Sequence, residues 1–148
     1  MAIPSLNIQG FLPEGIHECT LAEAQARFGV FQGTDRRLQL SAKLRQFFRE
    51  VKACAIVEAV LLNGSFISGK PAPNDIDLIL VVPAAHDFSV DLAPIEFHVL
   101  SQRRVFRRHG FDVLVARADS EEYRRYAAFF QQVRLAPGQS KGMPRIVV

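Results

Sequence analysis

Two compact apolar runs, each bounded by turn formers, constrain this chain more than any other feature. The first, Ala55 to Leu62, runs into Asn63-Gly64. The second, Asp75-Ile-Asp-Leu-Ile-Leu-Val-Val82, follows a polar loop containing Gly69, Pro71 and Pro73 and is closed by Pro83. Both read as strands, the first buried and entering a tight turn. Their surroundings read as helix. Thr20 and Glu23 make a capping box and Gly29 a natural stop, so a short helix lies between them. Thr34 is placed to cap a longer helix, with Leu38, Leu44, Phe47, Phe48 and Val51 on the apolar face and Arg and Lys on the other. Leu92 to His109 again has helical spacing and ends at Gly110. Phe111 to Ala116 is a third β-rich run, and Ser120 with Glu121 and Glu122 caps a last helix through Phe129, Phe130 and Val133.

The order helix, helix, strand, strand, helix, strand, helix predicts an α/β (α+β) fold, a small mixed sheet of about three to five strands covered by helices. At 148 residues this is one domain. Residues 1–18, rich in Pro and Gly, read as an N-terminal arm, 55–116 as the core and 136–148 as a tail. The first residues lack a basic region followed by an apolar one, and no apolar stretch approaches membrane-spanning length. With only Cys19 and Cys54, widely spaced, a zinc site or disulfide framework is not expected. A cytoplasmic protein without a membrane partner is therefore expected. The net charge of +3 permits an acidic or nucleic-acid partner without demanding one.

Chemistry concentrates around the two strands. On a strand, Asp75 and Asp77 project from one face, and like charges beside a core call for a cation between them. A hard divalent ion on oxygen ligands meets that need, and magnesium suits carboxylates shared with phosphates. Gly64 allows a sharp turn and close approach, and Ser65 with the following amides can donate to phosphate oxygens. Asp112, on the next strand, can reach the same place from the side.

Glycine-serine, nine intervening residues, then Asp-Ile-Asp on a strand resembles the signature of the DNA polymerase β-like nucleotidyltransferase superfamily. Members carry a third carboxylate on a further strand after a helix, where Asp112 stands here. Phe11-Leu-Pro-Glu-Gly-Ile-His, Phe129-Phe-Gln and Lys141-Gly-Met resemble segments of a group of small bacterial relatives. Some minimal members of the wider superfamily belong to toxin–antitoxin systems and nucleotidylate a partner protein or tRNA. The resemblance implies an NTP substrate, a magnesium cofactor (or manganese in its place), and transfer of an NMP to a hydroxyl on a protein, RNA or small molecule. Asp75 and Asp77 would hold the metal, Gly64 and Ser65 the phosphates, and Asp112 a second ion or the acceptor's proton. Many minimal members have an arginine between the serine and the aspartates. This loop offers only Lys70, so triphosphate binding would lean on Lys70 or on Lys141 from the tail.

Plainer readings exist for each feature. Asp75, Asp77 and Asp112 could be solvated residues at strand starts. Ser65 lacks a nucleophile elbow, and the loop lacks a P-loop ending. His17, His86, His98 and His109 are scattered. Arg103, Arg104, Arg107 and Arg108 form i,i+4 pairs that read as a solvated face or an RNA contact. Phe129 and Phe130 are core residues or a base-stacking pair. A catalytically silent, antitoxin-like binding module and an RNA-binding protein are the rival functions.

Overall fold

A computed structural model describes residues 3–133, 136 and 138–148. The elements in chain order are β1 (Ile16–Cys19), α1 (Leu21–Phe28), α2 (Arg36–Cys54), β2 (Ala59–Asn63), β3 (Asp77–Val82), α3 (Pro94–Leu100), α4 (Gln102–His109), β4 (Asp112–Arg117), α5 (Glu121–Phe130) and β5 (Met143–Val147). The five strands form one mixed sheet in the order β1-β5-β2-β3-β4. β1 runs parallel to β5 and β4 parallel to β3, while β2 is antiparallel to both β3 and β5. The fold is thus the mixed α+β architecture expected.

β2 and β3 are the inner pair. Val60, Leu61 and Leu62 are fully buried, as are Leu78, Ile79 and Leu80. Burying each such side chain contributes about 1.5–3 kcal/mol, which makes this pair the anchor of the sheet. Around it pack Phe28, Phe47, Phe48, Phe66 and Phe111, with Phe47 meeting Phe111 edge-on at 6.0 Å between ring centroids. No helix among the described residues is long and apolar enough to cross a membrane. Cys19 and Cys54 are buried free thiols.

Local signals act where they were read. The Thr20 hydroxyl accepts from Glu23 N, and Glu23 Oε1 accepts from Thr20 N, closing the capping box of α1. Ser120 caps α5 by accepting from Tyr123 N. Other expectations are corrected. The N-terminal arm ends in β1, which runs one residue past it to Cys19, and the tail contains β5, which lies inside the sheet between β1 and β2. Leu92–His109 is two helices, because Ser101 ends α3 and restarts the chain as the N-cap of α4, accepting from Arg104 N. The residue before α2 is Asp35, which makes no side-chain cap, and Thr34 Oγ1 instead accepts from Arg36 N at 3.3 Å. On α2 the expected Leu44, Phe47, Phe48 and Val51 are buried, but Leu38 is exposed and Arg37 is buried. The strand expected from Ala55 starts at Ala59, since Ala55 is the left-handed C-cap of α2.

Candidate functional site

β3 begins at Asp77, so the expected strand over Asp75 to Val82 starts two residues late, and Asp75 lies in the approach to it. Ile76, between them, is fully buried. The structure pairs Asp77 with Asp112, its direct partner in the parallel β3–β4 ladder, so the two carboxylates stand side by side on one face. Asp77 is half-buried and Asp112 exposed. Burial is the largest influence on Asp77 and pushes its pKa up from 3.8 to about 6. The charges of Asp75 and Asp112 push the same way, Lys141 pulls it back, and a hydrogen bond with Asp112 raises it further. Burial and like charge both resist ionisation of Asp77, and a cation beside the pair would relieve the same repulsion.

Asp75 is held differently. Its Oδ1 accepts from Ser65 N at 3.0 Å and Ser65 Oγ at 2.9 Å, while Ser65 Oγ accepts from Asn74 N at 2.9 Å. The donors assigned from the sequence to phosphate are therefore engaged with Asp75, and the serine closes the Ser65-to-Asp75 loop on itself. Gly64 makes this closure possible. Its φ is +93°, and a β-carbon there would stand 2.9 Å from the Asp75 carbonyl oxygen and 3.0 Å from Oδ1. Gly64→Ala is expected to destabilise the fold by about 1–2 kcal/mol in urea unfolding, through backbone strain and displacement of Asp75. A wild-type midpoint would show that the turn does not need glycine.

Two arginines at the start of α2 hold the loop from behind. Arg36 donates to the carbonyls of Pro73 and Asn74. Arg37, only 2% exposed, donates to the carbonyls of Phe28, Phe66, Ser68 and Lys70. Sequence reasoning placed the α2 arginines on the solvent face and missed both. No local pattern announces a guanidinium whose acceptors lie some thirty residues downstream.

Of the two candidate lysines, Lys141 is brought to the site, its charge felt at Asp77 and its Nζ 5.8 Å from the centroid of the Phe11 ring. Lys70 is exposed, its backbone carbonyl taken by Arg37. The tail reaches this position through a tight crossing. Gly142 N donates to Leu12 O, Lys141 N to Gln131 O, and Gly15 N to Gln131 Oε1. A β-carbon on Gly142 would overlap the Pro13 carbonyl, so only glycine fits. The segments beginning at Phe11, Phe129 and Lys141, remote in sequence, thus meet at one crossing, from which the Lys141 charge reaches Asp77.

A protein-family profile described as "Family of unknown function (DUF6932)" matches residues 4–147. The chain belongs to this family. No curated protein and no solved structure matches it. In this DUF6932 chain the match takes in the arm, the carboxylate pair and the tail crossing together. Elsewhere, Arg108 makes a two-pronged ion pair with Glu50, and Arg104 lies over the Phe97 ring, so two of the four α4 arginines have partners within the chain. Phe129 is exposed, whereas Phe130 packs against the core.

Among the described residues, no three His, Cys, Asp or Glu side chains are gathered to hold a metal ion. Magnesium does not require such a cage. It is commonly held by one or two carboxylates, with waters and substrate phosphates completing its shell. The Asp77–Asp112 pair, with Asp75 close enough to raise the Asp77 pKa, fits that donor set.

Proposed function

We propose that this chain is a magnesium- or manganese-dependent nucleotidyltransferase of the DNA polymerase β-like kind, moving an NMP from an NTP to a hydroxyl on a protein, RNA or small-molecule acceptor. The observation that carries the reading is the pairing of Asp77 with Asp112 on adjacent strands, at the mouth of the Gly64-Ser65 turn and within reach of the Lys141 charge. Asp77 and Asp112 would hold the divalent ion, with Asp75 joining them. Bound there, the ion supplies charge neutralisation for the triphosphate and the departing pyrophosphate.

The chain's own groups do the rest. Lys141 attracts the triphosphate, and Gly64 lets phosphate oxygens come close to the backbone. Asp112, the exposed member of the pair, takes the proton from the acceptor hydroxyl. The acceptor oxygen then bonds to the α-phosphorus as the bond to the β-phosphate oxygen breaks, releasing pyrophosphate. Asp75 positions the Ser65 turn until a triphosphate competes for its donors. We place this activity in the cytoplasm, where two buried free thiols stay reduced. A partner protein or tRNA as acceptor, in a toxin–antitoxin setting, is what the resemblance to minimal superfamily members adds to this reading.

One observation favours the rival, a catalytically silent binding module: the Ser65 amide and hydroxyl already have an acceptor in Asp75. Calorimetric titration of each of the four NTPs with magnesium separates the two. The enzyme reading expects one or more NTPs to bind only with metal, at least tenfold more weakly to a folded Asp75→Asn/Asp77→Asn variant. A well-folded wild type that binds none of the four would sink it.

A further inference from the structure

Asn63 closes β2 and is 6% exposed, at the end of a strand whose other four residues are fully buried. Its side-chain Oδ1 is buried and has no hydrogen-bond partner. A buried amide oxygen without a donor has lost its water and gained nothing, so a leucine or valine would suit this strand better on packing grounds alone. The asparagine therefore needs a reason outside the core.

The sheet register supplies one. Asn63 is the direct partner of Asp77 across the antiparallel β2–β3 ladder, and Asp77 is the direct partner of Asp112 across β3–β4. Directly opposed residues point to the same face with β-carbons about 4.5–5.5 Å apart. An amide carbonyl and two carboxylates thus form one row across three adjacent strands, with the Ser65 turn and Asp75 at its end. Amide oxygens are hard, neutral donors that bind magnesium, manganese or calcium without adding negative charge. A third carboxylate in the same row would worsen the repulsion that Asp77 already bears, whereas an asparagine adds an oxygen and no charge.

We propose that Asn63 Oδ1 is the neutral oxygen ligand of a divalent-cation site shared with Asp77 and Asp112. The inference rests on the metal-dependent reading above and assigns a ligand that neither the glycine-serine motif nor the aspartate pair contains.

Manganese alone, without nucleotide, is the probe, and loss of the free-ion electron paramagnetic resonance signal on titration is the readout. Asn63→Leu is expected to weaken manganese binding about tenfold or more, while melting at or above the wild-type temperature without metal because the unpaired oxygen is gone. Asn63→Asp should keep or tighten binding and melt lower. Asn63→Ala serves as the apolar variant should leucine not fit. A purely structural asparagine predicts the reverse: lower melting in Asn63→Leu with manganese affinity unchanged, which overturns the proposal and leaves the metal reading standing. Wild type that retains no manganese overturns both. Binding that survives Asp77→Asn and Asn63→Leu alike also overturns both, since the ion then sits elsewhere.

Discussion

Arg37→Met is expected to cost about 4 kcal/mol of folding stability, near a thousandfold in the folding equilibrium, with its largest structural effect in the loop from Gly64 to Lys70. The wild-type guanidinium is buried, and burial lowers its pKa, so holding it charged is itself costly. Four carbonyls offset that cost: Phe28 at 3.0 Å, Phe66 at 2.7 Å, and Ser68 and Lys70 each at 2.6 Å. Methionine matches much of the volume but donates nothing. It removes the burial cost of the charge and leaves the carbonyls unpaired, at about 1–3 kcal/mol for each that stays buried. The second effect outweighs the first because three of the carbonyls belong to a loop with little regular structure of its own. Arg37→Lys keeps the charge but lacks the planar fork and should recover under half of the loss. Urea unfolding gives the magnitude, and amide exchange at Phe66 to Ser68 gives the location. A loss under about 1 kcal/mol would mean that the loop holds its shape without the arginine.

The same residue marks the limit of sequence reading. Periodicity located β2, β3, β4 and the bodies of the helices, because burial of a strand or an amphipathic helix is written in neighbouring residues. The capping pairs at Thr20 and Ser120 were legible for the same reason. Arg37 was not, since what buries it is a set of acceptors supplied by another segment. β1 and β5 were missed on similar grounds. Ile16–Cys19 and Met143–Val147 are short, and their pairing spans 127 residues, as between Glu18 and Arg145. The break at Ser101 had a signal, a serine N-cap, that was overridden by the helical spacing on both sides.

The candidate site divides along the same line. Spacing alone picked out Gly64, Ser65, Asp75, Asp77 and Asp112, and the sheet brings Asp77 and Asp112 together. Spacing did not disclose that Asp75 lies off the strand and binds the Ser65 turn, nor that Asn63 faces Asp77. The first is the closure of a loop by Ser65, and the second is decided by register across a ladder, a property of pairs of strands. Lys141 was named only as a lysine from elsewhere, and the arm-to-tail crossing at Gly142 is what delivers it.

Asp77→Asn should stabilise the metal-free chain above neutrality while removing metal-dependent nucleotide binding. The sign follows from the raised pKa of Asp77. In the unfolded chain its carboxyl titrates at the ordinary 3.8, but in the folded chain it holds its proton to about 6. Between these values the folded state binds more protons than the unfolded one, so stability falls as pH rises and stays low above the folded pKa. At about 1.4 kcal/mol per pH unit, and reduced by solvent screening because Asp77 is only half-buried, the cost of ionising it in place is about 1–2 kcal/mol. Asparagine has no such cost. The difference in unfolding free energy between wild type and variant should be smallest near pH 4, grow through pH 5, and level off above about pH 6–7 with the variant ahead. Saturating magnesium at about pH 8 should then close the gap from the other side, raising the melting temperature of wild type and leaving the variant unchanged, because only the ionised pair draws the ion. A gap that is flat with pH would show that Asp77 ionises as an ordinary surface carboxylate, and the electrostatic case for a cation at this site would fall with it.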